Sequence, residues 1–205
     1  MDEHRKTAAL GWIRQPRPVE LVGGSATVRG ADLSDADALA AMHLRCSLDT
    51  VYRRYFTAVP RLSRTWQQTL LVTDVALVAV AQTASEPVPH VVALGNLCSV
   101  PSRTMDGQLE GAMEVALLVE DGYQGRGLGT AMLRQLAAAA WLLGHRTLRA
   151  DTLATSAPMH RLLARLGPHT VDAAAPGGLT TFGIRLGHGA LSGLGDPWVA
   201  VTRAG

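Results

Sequence analysis

The fold of this chain is indicated most directly by the stretch Gln124-Gly125-Arg126-Gly127-Leu128-Gly129-Thr130. A continuous apolar run, residues 115–119, comes before it, and residues 130–143 after it repeat apolar side chains at helical spacing. A strand that leads through a glycine-rich turn into a helix presents free backbone N–H groups at the positive end of the helix dipole. The alternating glycines allow positive φ and let the backbone approach a ligand closely. The stretch therefore predicts an anion site, and we expect the anion to be a pyrophosphate.

Two other interpretations of this loop stay open. Glycines before a helix often have a purely structural role. The segment Gly125-Arg126-Gly127 also begins a dinucleotide-binding fingerprint, with Asp151 about where a ribose-binding acid would lie. However, Thr130 stands where that fingerprint requires Gly or Ala, and the loop follows a hairpin instead of opening the fold. The dinucleotide interpretation is therefore disfavoured.

The elements around the loop alternate between strands and helices. We predict helices over residues 36–45, 49–56, 130–143 and 158–166, and strands over 26–29, 76–81, 91–98, 110–120, 147–153 and 179–186. Turns are expected at residues 86–89 and 102–107. Residues 1–24 are interpreted as a flexible arm and residues 188–205 as a glycine-rich tail. These predictions leave one mixed α/β (α+β) domain, residues 25–187.

Composition excludes several classes of protein. A length of 205 residues suits one domain, and 47% hydrophobic with 18% charged residues describes a globular chain. A net charge of +2 is too small to favour nucleic acid as a partner. The sequence has neither an apolar stretch of ~18 residues nor a secretion signal at its start, so we expect a cytoplasmic protein without a membrane partner. Cys46 and Cys98 lack metal-site spacing, so we expect reduced, buried thiols and no metal.

The loop Gln124-Gly125-Arg126-Gly127-Leu128-Gly129 resembles the Gln/Arg-x-x-Gly-x-Gly/Ala pattern of the GCN5-related N-acetyltransferases. The order of elements from Val28 to Leu186 is similar to that family's. The resemblance implies a mostly antiparallel, splayed sheet with helices on both faces, and acetyl-CoA as cosubstrate. It implies that the following residues bind acetyl-CoA: Leu117, Leu118 and Val119 along the pantetheine arm, Gln124, Gly125, Arg126, Gly127, Leu128, Gly129 and Thr130 around the pyrophosphate, and Ser156.

A narrower resemblance is to the bacterial protein-lysine acetyltransferases. It rests on Glu114-Val115-Ala116 at the start of a strand and on residues 54–63, Arg-Tyr-Phe-Thr-Ala-Val-Pro-Arg-Leu-Ser. Two positions depart from the family pattern, because Ser156 and Leu163 stand where many members carry Asn and Tyr. In those members the Tyr protonates the departing thiolate. We therefore expect another group or water to perform that step here.

Transfer of an acyl group to an amine requires a base, because a lysine-like amine has a pKa of about 10.4 and is mostly protonated at neutral pH. Glu114 is the candidate, since it begins the strand that leads to the loop and has apolar neighbours in sequence. The alternative is an edge glutamate that faces solvent. Weaker candidates are Glu110, Glu120, His145 and His160, and we interpret Asp151 as a hydrogen-bonding residue of a strand end or loop.

The expected function is direct transfer of an acetyl group to a primary amine. The sequence has no nucleophile-elbow pattern around its serines, so we expect no acyl-enzyme. Protein lysine is the first acceptor, and a small-molecule amine is the alternative. A catalytically idle acyl-CoA sensor is a third possibility, because the family's Asn and Tyr are missing. A homodimer is compatible with the sequence.

Overall fold

The computed structural model describes residues 3–82, 88–103 and 109–187. Six α-helices lie in these ranges: α1 (Glu3–Arg14), α2 (Ala36–Arg45), α3 (Leu48–Tyr55), α4 (Arg64–Leu71), α5 (Leu128–Leu142) and α6 (Ala157–Ala164). The strands are β1 (Arg17–Leu21), β2 (Gly24–Gly30), β3 (Val75–Ala81), β4 (His90–Arg103), β5 (Leu109–Val119), β6 (Thr147–Leu153), β7 (His169–Ala175) and β8 (Leu179–Arg185).

The strands form one open sheet in the order β1-β2-β3-β4-β5-β6-β8-β7. The pairs β1–β2, β2–β3, β6–β8 and β7–β8 are antiparallel. The pair β5–β6 is parallel and aligns Met113 with Leu148 and Glu114 with Arg149. The prediction of a mixed α/β domain with a mostly antiparallel sheet is confirmed.

The chain divides into two compact units that alternate along the sequence. The first, here called the loop unit, contains residues 14–82, 88–96 and 117–133 of the described chain. Its core is an apolar cluster of fully or almost fully buried side chains, which includes Leu39, Met42, Val51, Val78, Leu94 and Leu118. Serines stabilise the starts of two helices here, because Ser47 Oγ accepts from Thr50 N and Ser63 Oγ from Trp66 N.

The second unit, here called the β6 unit, contains residues 3–13, 97–103, 109–116 and 134–187 of the described chain. Strand β6 alternates strictly, so that Leu148, Ala150 and Thr152 are buried while Arg149 and Asp151 are half-buried on the opposite face. Helix α6 lies on the buried face, where the ring of His160 is 5.1 Å from the ring of Phe182 in β8. The other face of β6 is therefore polar and partly open.

Several elements match the sequence predictions, and α2 and β6 match them at both ends. The sequence analysis did not predict α1, β1, α4 or β7. The segment interpreted as an arm contains α1 and β1, and Ala9, Trp12 and Ile13 are buried. The boundary at residue 25 stays a prediction. The predicted tail, residues 188–205, and most of the turn predicted at 102–107 lie outside the described residues.

No helix within the described ranges is both long and apolar enough to cross a membrane.

Candidate functional site

The glycine loop has the backbone that its sequence predicts at two of its three glycines. Gly125 and Gly127 have φ of 70° and 98°. A side chain is rarely compatible with these angles, whereas glycine adopts them at no steric cost. Gly129 does not use this freedom, because α5 already begins at Leu128 and Gly129 is a helical residue.

Residues 124–127 form a turn, but none of the backbone hydrogen bonds of good geometry within the described residues is donated by the six N–H groups from Gly125 to Thr130. The first N–H that the helix itself satisfies belongs to Ala131, which donates to Gly127 O at 3.1 Å. A Cβ placed on Gly125 or Gly127 would meet no atom within 4 Å, so the space beside these groups is open. Free donors at the N-terminus of a 15-residue helix suit an anion of several oxygens such as a pyrophosphate.

Gln124 binds protein groups with all of its donors. Its side-chain Nε2 donates to Thr50 Oγ1 at 3.1 Å and to Val119 O at 2.9 Å, and its backbone N donates to Asp121 O at 3.2 Å. The side chain thus fixes the loop to α3 and to the end of β5. A direct contact between Gln124 and phosphate stays a prediction.

Asp121 joins the start of α3 to the residues before the loop. Its carboxylate accepts hydrogen bonds from Ser47 N at 2.7 Å, Ser47 Oγ at 2.8 Å and Thr50 Oγ1 at 2.8 Å. Burial alone would raise the pKa of Asp121, but these hydrogen bonds outweigh burial and hold it below its usual range. Together with Gln124, this carboxylate forms a network that we call the loop brace (Ser47, Thr50, Asp121 and Gln124).

Glu120 is not a free base, because it pairs with Arg45 through two hydrogen bonds. Arg45 Nε donates to Glu120 Oε1 at 3.0 Å, and Nη2 donates to Oε2 at 2.8 Å. The side chain of the other weak candidate, Glu110, lies outside the described side chains.

Arg126 is exposed at the tip of the loop. Its guanidinium lies 5.6 Å from the centre of the Tyr123 ring, and its carbonyl oxygen accepts from Val22 N at 3.1 Å. The turn between β1 and β2 is therefore hydrogen-bonded to the backbone of the loop. A contact of the guanidinium with phosphate stays a prediction.

The three residues before the loop differ in burial. Leu118 is buried in the core of the loop unit, whereas Leu117 and Val119 are half-buried. The predicted contact of Leu117, Leu118 and Val119 with pantetheine stays a prediction.

Glu114 lies in the β6 unit and is half-buried on β5. Strand β5 lies between β4 and β6, so Glu114 does not lie on an edge strand, and its role as the base stays a prediction. Within the described part of the chain, the Glu114 carboxylate has no hydrogen-bond or ion-pair partner. Its lone pairs are available to accept a proton.

Ser156 and Leu163 occupy α6 and its start. Ser156 precedes α6, is 8% exposed, and makes no capping hydrogen bond with its side chain. Leu163 is 1% exposed, so the position at which many family members carry Tyr is part of the apolar core. The role of Ser156 in cofactor binding stays a prediction.

Both histidine candidates contact backbone carbonyls. His160 Nε2 lies 2.9 Å from Thr152 Oγ1 and 3.1 Å from Leu153 O, and His145 Nδ1 lies 3.2 Å from Gly111 O. Asp151 hydrogen-bonds as expected, although it lies inside β6 and not at the end of the strand. In the described ranges, no group of three His, Cys, Asp or Glu residues could hold a metal ion.

Comparison with known proteins gives one family. The model of the acetyltransferase (GNAT) family matches residues 50–167, more than half of the chain. No curated protein matches the sequence. Among solved structures, the GNAT domain of S. lividans PAT is 27% identical, with a TM-score of 0.69 over 83% of this chain and 97% of that one.

Two further structures show the same fold at lower identity. The structure of yncA from Salmonella typhimurium, solved with its cofactor acetyl-CoA, is 22% identical, with a TM-score of 0.57 over 80% of this chain and 95% of that one. An agmatine N-acetyltransferase is 18% identical, with a TM-score of 0.57 over 78% of this chain and 99% of that one.

Proposed function

The chain belongs to the acetyltransferase (GNAT) family, and from this premise we propose that it transfers an acetyl group from acetyl-CoA directly to a protein lysine. That it is an acetyl-CoA-dependent N-acetyltransferase follows from the family and the matching structures. The observation that carries the proposal for this chain is the row of six N–H groups from Gly125 to Thr130, none of which donates a hydrogen bond of good geometry within the described residues.

The loop holds the pyrophosphate of CoA. Its N–H groups bind the phosphate oxygens, and the dipole of α5 adds favourable electrostatics at the same point. Gly125 and Gly127 keep Cβ atoms away from the phosphates. Leu117 to Val119 and Ser156 bind the pantetheine arm, as the family resemblance implies.

Bound acetyl-CoA supplies the acetyl group as a thioester, so that an amide C–N bond forms while the C–S bond breaks and the sulfur leaves as a thiolate. The residue that this chain contributes to the chemistry is Glu114. Its free carboxylate accepts the proton that the amine must lose, either directly or through one water.

Two observations favour a protein lysine as the acceptor. Glu114-Val115-Ala116 and residues 54–63 resemble segments of bacterial protein-lysine acetyltransferases. The S. lividans PAT domain has the highest identity of the structures compared above. A small-molecule amine is the second candidate.

The test is release of CoA thiol from acetyl-CoA in the presence of a panel of acceptors. One arm contains a lysine-rich protein or peptide, and the matched arm contains the same substrate with its lysines dimethylated. The other arms contain a polyamine and an amino sugar. We expect turnover with the unmodified protein and none with the dimethylated one. Turnover with the small amines alone would show that the acceptor is a small-molecule amine and not a protein lysine. Tight CoA binding without turnover on any acceptor would indicate a sensor.

A further inference from the structure

We propose that Asp151 is a positioning residue that holds Arg149 away from Glu114 and so keeps Glu114 free to act as a base. The inference rests on the proposed function, in which Glu114 accepts the proton from the amine. It concerns only residues of the β6 unit.

Arg149 is the cation placed to neutralise Glu114. The parallel pairing of β5 and β6 sets Glu114 directly beside Arg149. Aligned residues of neighbouring strands project from the same face of a sheet, and the strands are about 4.8 Å apart. An arginine side chain easily spans that distance. An ion pair between Glu114 and Arg149 is therefore within reach, and yet the structure does not contain it.

Asp151 binds the guanidinium instead. Arg149 Nη2 lies 3.1 Å from Asp151 Oδ2 and 3.4 Å from Oδ1. Asp151 is two residues along β6 from Arg149, so that both side chains lie on the same face. The aligned residue of β8, Thr181, donates its hydroxyl proton to Asp151 Oδ1 at 2.5 Å and fixes the carboxylate in place.

The guanidinium keeps a donor that would suit Glu114. Arg149 Nε is buried and has no hydrogen-bond partner within the described ranges. If Asp151 lost its charge, the guanidinium would lose its anion and Glu114 would be the adjacent carboxylate. The ion pair formed in this way would oppose protonation of Glu114.

Among the side chains that the structure describes, few other titratable groups lie on the strands beside Glu114. On the neighbouring strand β4, the titratable residue is Cys98. The next residue, Ser99, places this part of β4 beside Glu114, because its hydroxyl lies 3.5 Å from the sulfur of Met113. On β6 the charged residues of the same face are Arg149 and Asp151, and on β7 Asp172 is aligned with Thr181. Among these groups Arg149 is the cation aligned with Glu114, so its position affects the charge that Glu114 experiences.

An opposite charge within about 4–6 Å lowers the pKa of a carboxylate by roughly 1–3 units. A Glu114 carboxylate paired with Arg149 would be a weaker base and would first have to leave the guanidinium. Removing the charge of Asp151 should therefore slow proton transfer without removing any group that touches the substrate.

The experiment compares the pH dependence of turnover in Asp151→Asn, Arg149→Leu and the double variant, with saturating acetyl-CoA. For Asp151→Asn we expect turnover at neutral pH to fall about tenfold, a part of what a general base supplies. We also expect the midpoint of the acid limb to move down by roughly one unit or more. The double variant should keep wild-type turnover and an unshifted acid limb, because the competing cation is absent and no charge is left unpaired. Arg149→Leu alone leaves the Asp151 carboxylate unpaired, so its acid limb should stay or move up, and not down as in Asp151→Asn.

Asp172→Asn is the matched control, since it removes the same charge from β7, which lies two strands further from Glu114 than β6 does. It should leave the pH profile unchanged. If Asp151→Asn does not fold, Thr181→Val weakens the hold on Asp151 and should give a smaller change in the same direction that Arg149→Leu reverses.

The proposal is overturned if the acid limb of Asp151→Asn is unshifted, or if adding Arg149→Leu to Asp151→Asn does not restore turnover. It is also overturned if Asp172→Asn behaves like Asp151→Asn. Failure of the proposed function is distinguished by Glu114→Gln. If that variant keeps wild-type turnover, Glu114 is not the base. If it loses turnover while Asp151→Asn is normal, Glu114 is the base and only the role of Asp151 is wrong.

Discussion

Gly127 is the residue at which the loop and its ligand are most closely linked. Its φ of 98° excludes most side chains, and the space beside it is open to an anion. A substitution there has two effects, strain in the backbone and obstruction of the phosphates. A useful experiment must separate them.

We predict that Gly127→Glu abolishes CoA binding in calorimetry and leaves the circular dichroism spectrum near wild type. The added carboxylate lies where the phosphates must lie and repels them. Gly177→Glu is the matched control, because Gly177 also has positive φ, 76°, with no atom within 4 Å of a Cβ. Each variant should lose about 1–2 kcal/mol of stability from left-handed backbone, but only the first should lose CoA. Unchanged affinity in Gly127→Glu would show that the phosphates bind elsewhere.

At the residue scale the sequence predicted the loop and the candidate base, because glycine spacing and a carboxylate in an apolar run are local signals. It could not predict what Gln124 binds. The partners in the loop brace are 71 to 74 residues apart in sequence, and only the folded chain brings them together. The same holds for Arg149, whose approach to Glu114 depends on the register of two strands.

Among the elements, α3 and the loop depend on each other through the loop brace. Thr50 Oγ1 donates to Asp121 and accepts from Gln124, so that one hydroxyl connects the helix to both sides of the turn. The position of the free N–H groups should therefore depend on this hydroxyl.

We predict that Thr50→Val lowers stability by about 0.5–1.5 kcal/mol, because it removes the hydrogen bonds of the hydroxyl to Asp121 and Gln124, and weakens CoA binding several-fold. Thr69→Val is the control, since the hydroxyl of Thr69 bonds only to Thr65 O of its own helix, among the interactions given by the structure. Calorimetric titration with CoA and thermal melting measure the two effects. Reduced stability with unchanged CoA affinity would show that the loop brace stabilises the folded protein but does not position the loop for CoA binding.

The start of α2 contains an ion pair that makes stability depend on pH. Arg29 donates to both carboxylate oxygens of Asp35 at 2.8 Å and 2.6 Å. The hydrogen bond from Arg29 lowers the pKa of Asp35 below its usual range, although burial opposes it. A carboxyl group with a lower pKa in the folded protein than in the unfolded chain stabilises the fold at pH values above its pKa in the unfolded chain. This stability is lost as the pH falls through the pKa that the group has in the folded protein.

Wild type should therefore lose stability steeply below about pH 4, and Asp35→Asn should lose less over the same range. At neutral pH the variant should be less stable by about 1.5–3 kcal/mol, since a hydrogen bond to a charged group is removed. Urea unfolding at pH 7 and at acid pH measures the difference. Equal acid sensitivity in both proteins would mean that other carboxylates govern acid unfolding.

The sequence predicted buried elements better than exposed ones. Helix α2 and strand β6 were predicted at both ends because their apolar side chains recur with a clear period. The strands that it missed, β1 and β7, are the two edges of the sheet. Strand β1 contains Pro18, which a central strand would not tolerate and an edge strand does. Helix α1 had a usable signal, the spacing of Ala9, Trp12 and Ile13, which are all buried.

For the molecule as a whole, cofactor binding and proton transfer are assigned to different parts of the chain. The loop, residues 124–130, binds CoA, and Glu114 on β5 accepts the proton. If the account is right, chemistry can be removed while CoA binding stays.

The most direct test is therefore to measure CoA affinity and turnover of Glu114→Gln across pH with the acceptor found in the thiol-release panel. Glutamine keeps the size of the side chain and removes the base. We predict unchanged CoA affinity and a turnover that is lower by roughly 10²–10⁴ at neutral pH. The deficit should narrow as pH rises toward the pKa of the acceptor amine, because more amine is then neutral without help from the enzyme. Wild-type turnover at neutral pH, with the chemical step shown to be rate-limiting, would contradict the account.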